Sequence, residues 1–181
     1  VLPAIGIGSP GMVDISTGTI QSAVDIGWFH VPLAEYIQRE LGISAYVVNR
    51  SKGGALAEMW NGRAGRTQDL IYISIGTGVA AGILHQGTLY HGVNSSAGEL
   101  GHMTIIPDGP VCPCGNHGCL QQLISEHAIA ASAREQLKSG APSSLYALAG
   151  HHPERLNAYD VIEAAEQGDS DQKESALGKY C

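Results

Sequence analysis

Hydrophobic and polar positions along this chain switch repeatedly between short apolar runs and a helical period. Val1 to Gly8 is an apolar run closed by glycine, the pattern of a buried strand, and Ser9-Pro10-Gly11 follows as a loop. Met12 to Ile20 holds Asp14, Thr17 and Gly18 and reads as a turn or small hairpin. Leu33, Ile37 and Leu41 recur at helical spacing, with Glu35, Gln38, Arg39 and Glu40 outward and Gly42 closing the helix. Ala45 to Val48 is a β-branched strand, and Ser51 is placed to cap a helix from Lys52 to about Asn61, with Gly62 beyond it. Leu70 to Ile75 is a further strand that runs into Gly76-Thr77-Gly78. Val79 to Leu84 continues as a paired strand, Gln86-Gly87 suits a hairpin turn, and Thr88 to His91 is its return. Leu120 to Leu137 predicts one helix, Ser139 to His152 a loop, and Tyr159 to Glu166 a helix ended by Gly168, its start capped by Asn157 or followed by Asp160 in the first turn. Asp169 to Lys179 predicts the start of another helix. The alternation of strand, helix, strand and glycine-rich turn indicates an α/β architecture.

Composition narrows the function classes. The 181 residues are 44% hydrophobic and 15% charged, which is ordered and globular, and the net charge of −7 repels a phosphodiester backbone, so this sequence is not expected to bind nucleic acid itself. No apolar run reaches the roughly 18 residues of a membrane span, and a free thiol at Cys181 fits a reducing, cytoplasmic setting. The chain opens on Val in the middle of an apolar run, so the natural N-terminus is expected to lie upstream.

The densest chemistry lies between residues 102 and 120, HMTIIPDGPVCPCGNHGCL. His102, Cys112, Cys114 and Cys119 combine an imidazole with three thiols, the donor set of tetrahedral zinc. The spacing is not that of a zinc finger, so the site closes only if the loop folds back on His102. Four protein ligands make a structural rather than a catalytic zinc site. Pro113 and Gly115 suit a turn that points both flanking sulfurs at one ion, whereas Asn116 and His117 are expected around the site or in solvent. Gly76-Thr77-Gly78 could cradle a phosphate through backbone N–H groups, though glycine hairpins are common and the motif is no P-loop. Glu99 stands three residues before His102, as an acceptor for a polyol or as a solvated acid. Asn49, at a strand end, sits where α/β folds contact ligands, and asparagine there caps a loop as often.

These residues carry a resemblance. GIGSPGMVD (6–14), GWFHVPL (27–33), VVNRSKGGALAE (47–58), ISIGTGVAAGIL (73–84), GTLYHGVNSSAGELGH (87–102) and CPCGNHGCLQQLIS (112–125) resemble the ROK family of repressors, open reading frames and kinases of sugar metabolism, in the family order. The resemblance implies an actin-like, ribonuclease-H-like fold of two α/β lobes with a sugar cleft between them, truncated at both ends. Residues 1–68 would belong to the N-terminal lobe and residues 69–181, with the zinc loop, to the C-terminal lobe. It implies zinc on His102, Cys112, Cys114 and Cys119, a hexose on Gly11, Asn49, Glu99, His102 and the residue at Gln121, and a homodimer or homotetramer.

Three departures bear on function. Kinases of the family follow the asparagine with a proton-accepting aspartate, and here that position is Arg50, which cannot accept a proton; no residue of this chain is therefore assigned as catalytic. Gln121 replaces a usual glutamate. The kinase aspartate-glycine strand is absent, Ala80 and Ala81 replace glycines after Gly76-Thr77-Gly78, and that turn is read as a remnant of a phosphate loop. The expectation is thus a sugar-sensing domain of a ROK-type transcriptional regulator, which meets DNA only through a helix-turn-helix upstream of this sequence. The alternatives are an ATP-dependent ROK sugar kinase of glucokinase type and a non-binding scaffold that dimerises through the zinc region.

Overall fold

The computed structural model describes residues 3–62, 67–139, 143–149 and 152–168. Its order is β1 (Ala4–Ser9), β2 (Met12–Asp14), β3 (Thr19–Ala23), β4 (Trp28–Val31), α1 (Leu33–Leu41), β5 (Ser44–Asn49), α2 (Arg50–Asn61), β6 (Leu70–Ile75), β7 (Val79–His85), β8 (Thr88–Leu89), α3 (Gln121–Ile124), α4 (Glu126–Lys138), α5 (Leu145–Leu148) and α6 (Ala158–Glu166). The chain divides into two compact units, Val1–Ser74 with Ala80–Glu99, and Ile75–Val79 with Leu100–Cys181.

In the first unit β1 and β5 pair in parallel, from Ala4 opposite Ser44 to Ser9 opposite Asn49. β2, β3 and β4 form an antiparallel sheet. Val13, Ile20, Ala23 and Val47 are its buried core, with Ile7, Val31, Leu33 and Ala34 packed around them. Helix α1 ends at Gly42, whose left-handed backbone lets its N–H close on the Gln38 carbonyl. β1 is half-buried rather than the buried strand its apolar run predicts, because β5 is its only partner among the described residues. The hairpin β7–β8 turns on Gln86 and Gly87, both with positive φ, as two-residue hairpin turns require. The return strand is shorter than expected and stops at Leu89.

The capping residue of α2 is Asn49, not Ser51. Its side-chain oxygen accepts the backbone N–H of Ser51 and of Lys52, which starts the helix two residues early and buries Ser51.

The second unit holds α3 to α6, with α4 to α6 packed around Ala133, Leu137, Leu145, Ala149, Leu156, Val161 and Ala164. The single helix expected from Leu120 to Leu137 is two. Ser125 is extended, its hydroxyl caps α4 by accepting the Ala128 N–H, and the Glu126 N–H turns away to the Gly76 carbonyl. Helical periodicity runs through this break because apolar positions continue on both sides. The expected loop 139–152 contains the short helix α5, which Leu145 ties to the core. At α6 both sequence options hold together: Asn157 caps the helix and Asp160 returns a hydrogen bond to the Asn157 N–H. The helix expected from Asp169 to Lys179 lies outside the described residues, as does Cys181. Among the described residues no helix is long and apolar enough to cross a membrane.

Candidate metal centre and ligand-side residues

The loop after residue 102 folds back as its ligand chemistry requires. Thr104 pairs with Cys119 and Val111 with His117, so the two ends of the loop run beside each other. Gly118 makes the return possible: its φ is +61°, and a Cβ there would lie 1.6 Å from the Ile106 carbonyl oxygen. Inside the Val111–His117 bridge, Cys112-Pro113-Cys114-Gly115 is a tight turn, closed by the Gly115 N–H on the Cys112 carbonyl at 2.9 Å.

The result brings together all four residues expected to hold a metal. The donor atoms of His102, Cys112, Cys114 and Cys119 lie within 4.8 Å of one another. Cys112 Sγ is 3.7 Å from His102 Nδ1, and Cys114 Sγ is 3.7 Å from Cys119 Sγ. A tetrahedral zinc with Zn–S bonds of about 2.3 Å separates its sulfurs by about 3.8 Å, so the cluster has the edge length of such a site. The separation far exceeds the roughly 2.05 Å of a disulfide. Cys112 and Cys119 are buried and Cys114 is exposed.

The sulfurs also perturb one another's ionisation. Burial pushes the Cys112 thiol up, but the Cys114 backbone N–H and the Cys114, His102 and Cys119 side chains outweigh it and lower the group to about 6. Burial pushes Cys119 up to about 12, and the neighbouring Cys112 and Cys114 sulfurs add to that rise. These opposite shifts keep the sulfurs from ionising together. A bound divalent ion reverses this, because a coordinating thiol is deprotonated outright. The residues therefore fit a metal ion held by one imidazole and three thiolates.

Other residues surround the cluster. Asn116 donates to Thr104 Oγ1 at 2.8 Å, and His117 is exposed beside the Gly109 carbonyl, so neither is a ligand. Gln121, expected on a sugar, directs its amide at Cys112 Sγ at 3.5 Å. In Gly76-Thr77-Gly78 the Gly76 N–H donates to the Gly78 carbonyl. The Glu126 carboxylate lies 3.9 Å from where a Gly76 Cβ would sit.

The first unit gathers Gly11 and Asn49. Asn49 Nδ2 donates to the Gly11 carbonyl at 2.8 Å while its oxygen caps α2. Gly11 has φ +76°, and a Cβ there would lie 2.0 Å from the Ser22 carbonyl oxygen, so only glycine fits. Asn49 thus caps a helix and orients the Gly11 loop at once. Arg50 is the first residue of α2 and is exposed.

Sequence reasoning missed Lys52 and His91. Lys52 is 3% exposed, and its ammonium donates to the Ser95 carbonyl at 2.5 Å. Burial lowers its pKa, and the Glu99 carboxylate opposes that fall. Burial lowers the His91 pKa, and Lys52 lowers it further. The Ala97 N–H returns to the His91 carbonyl and the Ala81 N–H donates to the Gly98 carbonyl, which fixes the segment that ends in Glu99. A lysine in the first turn of a helix reads as a surface residue. The clue was its place between Ser51 and two glycines, where the helix must lie against another segment.

Comparison with known proteins adds the lineage. The model of the ROK family matches residues 1–177. A glucokinase of Halalkalibacterium halodurans is 40% identical over 170 residues, covering 93% of this chain and 51% of that protein. A xylose repressor of Caldicellulosiruptor bescii is 36% identical over 164 residues, covering 91% of this chain and 41% of the repressor. The crystal structure of a ROK family glucokinase from Streptomyces griseus, in complex with glucose and AMPPNP, superposes with a TM-score of 0.88 at 31% identity, over 97% of this chain and 57% of that one. A ROK family transcriptional regulator, a homolog of the E. coli MLC protein, superposes at 0.86 and 31% identity, over 98% of this chain and 44% of that one. The chain spans about half the length of the curated relatives it matches.

Proposed function

This chain belongs to the ROK family, and on that premise we propose that it is the sugar-sensing part of a transcriptional regulator, binding a hexose or hexose derivative without phosphorylating it. Repressors and glucokinases are both among its relatives, so the choice rests on this chain's own residues. The observation that carries it is Arg50. It follows the capping Asn49 directly, in the position the family resemblance gives to a proton-accepting aspartate. A guanidinium holds its proton at every relevant pH and cannot deprotonate a sugar hydroxyl. The Gly76–Gly78 turn supports the same reading. One of its N–H groups is committed to its own carbonyl, and a carboxylate stands beside it, which disfavours an incoming phosphate.

Gly11, Asn49 and Glu99 are the residues we assign to the sugar. Asn49 and the Gly11 carbonyl are fixed against each other, and Lys52 and the Ser95 carbonyl hold the segment before Glu99. The metal is zinc, in a structural role: His102, Cys112, Cys114 and Cys119 would hold it, and it would lock the loop through charge neutralisation and four bonds. Nδ1 is the His102 ring atom that faces Cys112. With a net charge of −7, contact with DNA is not assigned to this sequence. A homo-oligomer in the cytoplasm completes the proposal.

The glucokinase relatives support the second reading, a sugar kinase. A coupled assay of ADP release with ATP and a panel of hexoses separates the two. We expect no sugar-dependent release. Release that disappears in Glu99→Gln would establish the kinase instead.

A further inference from the structure

Two side-chain amides converge on one sulfur of the metal cluster. Gln121 Nε2 donates to Cys112 Sγ at 3.5 Å and Gln122 Nε2 donates to the same atom at 3.7 Å. Both glutamines are half-buried in α3. The start of that helix is anchored to the metal loop: the Leu120 N–H donates to the Met103 carbonyl and the Gln122 N–H to the Cys119 carbonyl. Leu123, one residue on, is buried. The amides are thus delivered by a segment fixed to a ligand residue, rather than by free surface side chains. Gln121 also reaches a third place. Its Oε1 lies 3.1 Å from where a Cβ on Gly101 would sit and 3.6 Å from that position on Gly78. Gly101 precedes the ligand His102, and Gly78 closes the glycine turn.

We propose that Gln121 and Gln122 form an amide clamp on the Cys112 thiolate, and that Gln121 thereby ties the metal centre to the Gly76–Gly78 turn. The proposal rests on the reading of the cluster as a zinc site. A zinc-bound thiolate retains lone pairs and negative charge, and N–H donors aimed at it hold its orientation and share that charge. The neutral amide matters at position 121. The glutamate usual at this position in the family has no N–H to offer, so the donor to Cys112 is particular to this chain. In this chain Gln121 therefore supports the metal through Cys112.

The test compares wild type with Gln121→Leu, Gln122→Leu and the isosteric Gln121→Glu. Zinc affinity is read by chelator competition and sulfur electronics by the thiolate-to-metal charge-transfer band of the cobalt-substituted protein. Loss of a group that orients a ligand weakens metal binding about 10- to 100-fold. We expect all three variants near the lower end, since each loses one donor, and the cobalt band moved to lower energy as the sulfur loses its donors. Amide exchange at Gly78 and Gly101 should quicken in Gln121→Leu and not in Gln122→Leu. Zinc affinity within about twofold of wild type in all three variants, instead of a loss of about tenfold or more, overturns the clamp while leaving the zinc site standing. Equal exchange in the two leucine variants overturns the tie to the turn. A wild type that takes up no zinc overturns the metal reading and the clamp together.

Discussion

The metal loop and the start of α2 meet their chemical needs in opposite ways. In the loop, four side chains of specialised chemistry lie within eighteen residues, and the backbone bends to bring their donor atoms within 4.8 Å of one another. At the start of α2 the side chains are common ones, and the fold gives them their roles. Asn49 caps a helix and fixes Gly11 with the two ends of one amide. Lys52 gives up solvent to hold a carbonyl forty-three residues away. A site made by ligand chemistry loses its function when any member is changed. A site made by packing degrades by degrees, according to how many hydrogen bonds each residue supports.

That contrast is breakable by mutation. The largest effect is expected at the metal. Cys114→Ser removes one ligand, and loss of a metal site belongs to the class of changes above roughly 4 kcal/mol. For a chain of this size that corresponds to a melting temperature lower by about 8–16 °C. A chelator should reproduce the drop in wild type and add little to the variant, read by circular dichroism. An unchanged melting temperature would separate the cluster from stability. Gly11→Ala comes next. Its forced positive φ and the clash with the Ser22 carbonyl should cost about 1–3 kcal/mol, with zinc content unchanged. Asn49→Ala should cost about 1 kcal/mol from the lost cap, and should also abolish sugar heat, because the Gly11 carbonyl loses its anchor. Urea melts and calorimetry on the one variant test both halves.

The smallest effect is a titration. Burial, and after it the Lys52 charge, hold the His91 pKa below its ordinary value, so Lys52→Met should raise it part of the way back, as read by NMR. The sign for stability follows. A depressed histidine pKa adds stability above the unfolded value near 6.5 and loses it as pH falls through the folded pKa. Wild type should therefore lose stability on acidification below that value, and the variant should lose less. An unmoved His91 titration would remove Lys52 from this group.

The same contrast explains what the sequence discloses. The metal set is legible from residue identity alone, because few other uses bring three cysteines and a histidine so close. Helices α1 and α6 are legible because Gly42 and Asn157 mark an end and a start. The break at Ser125 is not, since it depends on the Glu126 N–H finding the Gly76 carbonyl fifty residues back. The capping role of Asn49 is half-legible: the choice between it and Ser51 depends on the strand register that leads into the helix. Lys52, His91 and the turn of Gln121 toward Cys112 are invisible without the fold, because each owes its role to a neighbour distant in sequence.

The claim that this chain reads a sugar without modifying it is tested most directly by one titration. Glucose, N-acetylglucosamine and xylose are titrated calorimetrically in the presence of magnesium and ATP, and the recovered sugar is weighed by mass spectrometry. The account predicts saturable heat with at least one of them and a sugar of unchanged mass. A recovered sugar phosphate, or no heat with any of the three, contradicts it.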